Sequence, residues 1–368
     1  MEIKRRELIS AAAVIGAGMG ASSMMAAASS AMNTPVAKRI LVLGGTGFIG
    51  PHFVRAALAR GHHVTLFNRG RTKTDMFPEA TKLVGDRNNG LEALATGEWD
   101  VVLDNSGYVP RHVMDSAKLL KGRVGRYIFT SSVAAYAVAP DRLPMGASSP
   151  LAVLAEPESE NVGKYYGPLK AVAEGYVSDI YGDRSTIVRP TYVAGPGDGT
   201  QRFTWWVDRI HRGGEILAPT NPQSSYSLID VRDLAEFYLT LAENDTAGTF
   251  NASGPNGLFN WGGLLHGIRA TTTAEVRFRW ADSNFLLSHN VTGSELPMWT
   301  PGTDGIQEQL WENQSSIDAG LRYRSLASTA IDTLAWYRKL TPEQQVFSRA
   351  GIDPQKEQAV LAALKQRG

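Results

Sequence analysis

The sequence predicts an α/β fold: a doubly wound parallel sheet followed by a smaller C-terminal region. Three observations predict it. Between Lys38 and Pro190 apolar runs alternate with stretches whose apolar residues recur every three or four positions. A glycine turn, GGTGFIG, directly follows the first of those runs. Beyond Pro190 the alternation gives way to a stretch rich in Gly, Pro and Trp.

Taken in order, RILVLGG (39–45), HVTLF (63–67), KLVG (82–85), DVVLD (100–104), RYIFTSS (126–132) and STIVRP (185–190) read as buried strands. FVRAALARG (53–61) and VMDSAKLLKG (113–122) read as the helices between them. Strand, helix, strand at this spacing implies parallel pairing with right-handed crossovers. Residues 191–225 read as an irregular insertion rather than another crossover. LIDVRDLAEFYLTLAE (228–243) predicts an amphipathic helix entered through an Asp cap, and TFNASG (249–254) a further strand. The segment 255–325 is weakly patterned, and helices near 326–340 and 355–366 close the chain. The expected organisation is a sheet domain over 32–190, a substrate-binding region over 191–340 that returns to the sheet near 226–254, and a C-terminal helix within 341–368.

Composition narrows the chemistry. The chain has 368 residues, 43% hydrophobic and 20% charged, enough to bury a sizeable core. With 37 Lys and Arg against 36 Asp and Glu, no global field draws it to nucleic acid or anionic lipid, so no nucleic-acid partner is expected. Cysteine is absent, which excludes disulfides, thiolate metal sites and a cysteine nucleophile. The seven histidines are scattered without metal-ligand spacing, and His62-His63 read as flanking a strand, so no metal site is expected.

Residues 1–31 have the order of an export signal: a basic head, a charge-free Ala/Gly/Ser/Met stretch, then small residues at Ser29 and Ala31. Arg5-Arg6 followed by Glu7, Leu8 and Ile9 resembles a twin-arginine signal, which implies the export machinery as a partner and a periplasmic location. A membrane anchor would need about 20 strongly apolar residues, and this stretch is diluted by Gly and Ser.

Gly44, Gly47 and Gly50 sit at three-residue spacing after a strand and before a helix, so the backbone of that turn, with Phe48 and Ile49, can approach a pyrophosphate at a helix N-terminus. This is the arrangement of a Rossmann-type dinucleotide site. About 20 residues on, where an acid would bind the ribose diol of NAD, stand Asn68, Arg69 and Arg71. A neutral amide followed by two guanidinium groups favours the 2′-phosphate of NADP; if the arginines are solvated or stack on adenine, NAD is acceptable. Asp86 can reach the adenine amino group or cap the next turn. Tyr166 and Lys170, four residues apart on a predicted helix, share a face, so the ammonium can lower the phenol pKa for acid/base work. Ser131 and Ser132 end the strand upstream, where a hydroxyl can hold the same substrate oxygen.

Together, GGTGFIG, FTSSVAAYA, YYGPLK, RPTYVAGP and SLIDVRDLAEF resemble the extended short-chain dehydrogenase/reductase superfamily, the NAD-dependent epimerase/dehydratase family, over about residues 38–340. The resemblance implies that Gly44, Gly47 and Gly50 bind pyrophosphate, Ser132 orients substrate, Tyr166 is the acid/base and Lys170 holds the nicotinamide ribose. It also implies that Pro190 to Tyr192 pass the nicotinamide and that the Tyr166 helix pairs in a homodimer. Members that dehydrate nucleotide sugars carry an Asp-Glu pair after the serine strand; here that stretch is Ser132-Val133-Ala134-Ala135, so sugar dehydration is not expected. The Asn105-Ser106-Gly107-Tyr108 loop, counted with the cofactor and substrate residues, looks like that of atypical branches. Arg202, Trp205, Trp206, Tyr226 and Arg232 fall where a small-molecule pocket would be lined, although the tryptophans serve equally as core. The expected function is an NAD(P)-dependent epimerase or reductase acting on a sugar-like hydroxyl or carbonyl carbon; the alternative is a non-catalytic dinucleotide-binding scaffold.

Overall fold

The computed structural model describes residues 36–137, 140–302 and 304–367. The export signal expected over 1–31 lies outside the described residues. Strand β1 (Arg39–Leu43) shows why the apolar runs become strands: Ile40 and Val42 face one side, Leu41 and Leu43 the other, and all four are fully buried. A strand buried on both faces has no polar side and reads as one continuous apolar run. The chain continues through α1 (Ile49–Ala59), β2 (His63–Asn68), β3 (Thr81–Val84), β4 (Trp99–Asp104), α2 (Pro110–Leu120), β5 (Val124–Thr130), α3 (Val162–Tyr181) and β6 (Ser185–Pro190). His62, just before β2, accepts from the Lys38 amide at 3.1 Å and bonds Glu243 at 3.0 Å, so it ties the start of β1 to a carboxylate from the second half of the chain.

Next come β7 (Tyr192–Ala194), α4 (Arg202–Arg212), β8 (Gly214–Pro219), β9 (Leu228–Asp230), α5 (Val231–Glu243) and β10 (Gly248–Ala252). The last are α6 (Trp261–Arg269), β11 (Val276–Ala281), α7 (Ser283–Ser288), α8 (Gln314–Asp318), α9 (Leu326–Tyr337) and α10 (Pro354–Arg367). A seven-stranded sheet runs β10-β6-β5-β4-β1-β2-β3, and every pairing in it is parallel. Side chains of α1 and α5 pack on one face, those of α2 and α3 on the other, giving the doubly wound Rossmann-type fold.

A third cluster joins α4, β8, α6, β11, α9 and α10 around the fully buried Trp206. Here the structure departs from the pattern reading. Residues 191–225 are not irregular: they hold β7, α4 and β8, and β8 pairs in parallel with β11. The helical period was present, since Phe203, Trp206, Val207 and Ile210 are all buried, but glycines on both sides disguised it. Residues 228–230 form β9 rather than the start of a helix, because Asp230 has extended backbone and caps α5 by accepting from the Arg232 amide at 2.7 Å.

Candidate active site

The sheet order reverses between β1 and β4, which opens a crevice past their C-terminal ends. Gly44 (φ +114°) and Gly45 (φ +93°) make the turn leaving β1 in conformations that L side chains rarely adopt. A Cβ on Gly50 would lie 2.4 Å from the Gly45 Cα, so the first turn of α1 rests directly on the glycine turn. Gly47 is different: a Cβ there meets nothing within 4 Å. Phe48 caps α1 without a side-chain hydrogen bond and no acid stands in the first turn, so its amides face the crevice uncapped. Across the crevice Asn105 lies with Oδ1 2.5 Å from where a Gly44 Cβ would sit, and its buried Nδ2 has no partner among the described residues. Open space at Gly47, free amides and an orphaned donor fit a pyrophosphate.

Other expected cofactor residues divide. Ser106 donates to the Leu43 carbonyl at 2.9 Å, so its hydroxyl stitches the β4 loop to β1. Asn68 accepts from the Gly70 amide at 2.9 Å and shapes the turn that presents Arg69 and Arg71, which are exposed and engage no partner among the described residues. Asp86 accepts from the Asn88 amide at 3.0 Å inside a closed 86–90 turn, which is the capping reading. Pro190 ends β6 buried, and the next residue, Thr191, has a buried Oγ1 without a partner among the described residues.

Around the tyrosine the two serines separate. Ser131 donates to Glu174, whose carboxylate receives Arg189 through Nε at 2.9 Å and Nη2 at 2.5 Å, all of them buried. Ser132 stays at the crevice, its Oγ accepting from the Ala134 amide at 3.1 Å. Helix α3 meets that turn at Gly167, where a Cβ would lie 2.0 Å from the Ala134 carbonyl oxygen. Pro168 has no N–H for the Lys164 carbonyl, and the helix kinks at Tyr165 (φ −123°, ψ 30°), so the regular part begins at Tyr166.

Lys170 is 3% exposed, and its Nζ donates to the Gly107 and Thr130 carbonyls, each at 2.7 Å. Burial pulls its pKa down to about 8, against the pull of Asp104. Desolvation pushes the Tyr166 phenol up, and the Ser132 hydroxyl and the charge of Arg202 offset part of this. The Lys170 ammonium is tied to two backbone oxygens. Tyr108 touches both groups, its ring 6.4 Å from that of Tyr166 and 5.0 Å from Nζ. A reaction that needs the phenol protonated and the ammonium charged should therefore weaken as pH rises through about 8, which a pH–rate profile of carbonyl reduction will show.

On the substrate side Trp205 and Trp206 are 2% and 0% exposed and belong to the third core, Trp206 donating to the Pro297 carbonyl at 2.7 Å. They line no substrate surface, which corrects that expectation. Arg232 is corrected too: it is held by Asp230 at 2.8 Å and by Asp332, and it ties α5 to α9. Tyr226 is buried, stacked on Tyr192 with ring centroids 5.9 Å apart, and Arg202 lies over the Tyr192 ring at 5.0 Å.

The model of the NAD dependent epimerase/dehydratase family matches residues 40–104 and 100–253, more than half of the chain. The chain belongs to that family. Among relatives, it is 28% identical over 235 residues to the chloroplast stem-loop binding protein of 41 kDa b of Arabidopsis thaliana, covering 59% of each chain. It thus spans well under two thirds of that relative. The fold is shared with the enzyme WbmG of Bordetella bronchiseptica in complex with NAD (TM-score 0.62, 17% identity, 82% of this chain and 94% of that one). It is shared equally with UDP-N-acetylglucosamine 4-epimerase from Methanobrevibacter ruminantium (TM-score 0.61, 19% identity, 82% and 98%).

The family motifs pointed to the glycines, Ser132, Tyr166 and Lys170, but not to the groups that hold them. Asp104 is fully buried and receives Arg87 through Nη1 at 2.5 Å and Nη2 at 2.7 Å, with the Tyr127 hydroxyl at 2.8 Å. This pairing offsets the cost of two buried charges and anchors the loop that carries Asn105 and the Gly107 carbonyl. Arg87 follows a strand in a polar turn, so nothing local marks it as buried. Gly167 likewise sits unmarked inside YYGPLK. Gly167→Ala should cost about 1–3 kcal/mol and part α3 from the Ser132 turn. A denaturation midpoint unchanged from wild type would refute that close approach.

Proposed function

We propose that the chain is an NAD(P)-dependent epimerase or reductase acting at a hydroxyl or carbonyl carbon of a sugar-like small molecule, with Tyr166 as its acid/base. The observation that carries this reading is the meeting of Ser132 and Tyr166 at the mouth of the crevice with Lys170 buried beneath, charged and aimed by two carbonyls. Bound dinucleotide supplies reversible hydride exchange with the reacting carbon. Ser132 holds the substrate oxygen, and Tyr166 gives or takes its proton. Lys170 has spent two of its three N–H donors on the protein and keeps one for a ribose hydroxyl.

Two finer points belong to this proposal. Arg69 and Arg71 favour the 2′-phosphate of NADP. Replacing both with Ala should weaken NADP at least about tenfold more than NAD. An equal effect on both moves the preference to NAD. Export through the signal over 1–31 would carry the folded protein away from the cytoplasmic cofactor pool, which favours a redox-neutral epimerisation on retained cofactor. Dinucleotide that survives gel filtration and is not consumed during turnover supports it; stoichiometric consumption of added NADPH makes the protein a reductase. The stem-loop binding named for the Arabidopsis relative is not carried over, because 37 basic residues against 36 acidic supply no excess of phosphate-neutralising charge.

A further inference from the structure

Arg202 opens α4 beside the crevice. Its Nε donates to Thr200 Oγ1 at 2.9 Å and its guanidinium lies 5.0 Å from the Tyr192 ring centroid. No carboxylate among the described residues lies within ion-pair range, and its terminal nitrogens have no hydrogen-bond partner among those residues. By contrast, Arg87, Arg189, Arg209, Arg232, Arg279 and Arg324 are each paired with an acid. Tyr226 stacks on the Tyr192 ring that Arg202 covers, and its buried hydroxyl is also unpartnered among the described residues. A guanidinium fixed by a hydroxyl and an aromatic face, with its fork left open and an orphaned phenol nearby, is built to receive a planar or tetrahedral oxyanion.

We propose that Arg202, with the Tyr226 hydroxyl, holds an anionic group of the substrate, so that the hydroxyl-bearing compound presented to Tyr166 is a sugar acid or sugar phosphate rather than a neutral sugar. The inference rests on the assignment of Tyr166 as the acid/base and adds the substrate's charge to it. The charge of Arg202 also offsets part of the rise in the Tyr166 pKa, so the two groups are near enough to act on one substrate. Seating the anion there orders the substrate before proton transfer.

The test titrates dinucleotide-loaded full-length protein with galacturonate, glucose 6-phosphate and galactose by calorimetry, in the wild type and in Arg202→Gln. At least one anionic compound should bind about 30-fold or more tightly than galactose, and Arg202→Gln should erase that preference with dinucleotide affinity unchanged. Galacturonate against the phosphate decides which oxyanion is read. Should Arg202→Gln fail to fold, Arg202→Lys serves: it keeps the charge, loses the fork, and should retain only part of the preference. Galactose binding as tightly as the anions, no anion binding at all, or an unchanged preference in the variant overturns the clamp. Failure of the underlying reading shows elsewhere, as a wild type that takes no dinucleotide or a Tyr166→Phe variant that turns over normally.

Discussion

Tyr166→Phe is expected to lower turnover by about 100-fold or more while dinucleotide binding stays within about twofold of wild type. The ring remains, so its packing beside Tyr108 at 6.4 Å is kept, and only the titratable hydroxyl that meets Ser132 is removed. The two readouts separate chemistry from architecture. A scaffold that binds dinucleotide without turnover would lose nothing, whereas an acid/base catalyst loses its proton path. Lys170→Met should reduce both binding and rate, because the methionine leaves the Gly107 and Thr130 carbonyls without their donor in a buried place. Wild-type turnover by Tyr166→Phe would return the chain to the scaffold reading.

Gly47→Val should abolish dinucleotide binding in a protein that still folds. The expectation rests on the contrast between two glycines of one motif. A side chain at Gly50 would run into the Gly45 backbone at 2.4 Å and so damage the turn itself. At Gly47 a Cβ meets no atom within 4 Å, so the protein has no steric objection to a larger residue. Whatever valine displaces there is what normally occupies that space. The companion measurement is the thermal midpoint, which should fall by only a few degrees, about what a change of 1 kcal/mol or less produces. A folded Gly47→Val that binds dinucleotide as well as wild type would remove the pyrophosphate from this turn.

How much of this was legible in the residues varies with the kind of interaction. Strands buried on both faces announce themselves as apolar runs, and β1, β2, β4, β5 and β6 fall within two residues of where those runs lie. The glycine turn was legible because backbone geometry and residue type are coupled there. Tertiary pairings were not. The Arg87–Asp104 and Glu174–Arg189 pairs join residues 17 and 15 positions apart through the folded sheet, and an isolated arginine or glutamate in the sequence looks like a solvated one. The same blindness explains Trp205 and Trp206, which are suited to a pocket wall or a core, and which the α4 packing consigns to the core. It explains Lys170 as well. Spacing put it on a face with Tyr166, but the carbonyls that capture its ammonium come from the loop after β4 and from the end of β5.

The proposed reaction requires a nicotinamide dinucleotide in the crevice between β1 and β4, where Tyr166 can work beside it. Mass spectrometry of the ligand released from natively purified protein, loaded with NAD or NADP where none co-purifies, tests it most directly. About one dinucleotide per chain is expected from the wild type and from Tyr166→Phe, and none from Gly47→Val. A wild-type protein that releases no dinucleotide after loading with either would contradict it.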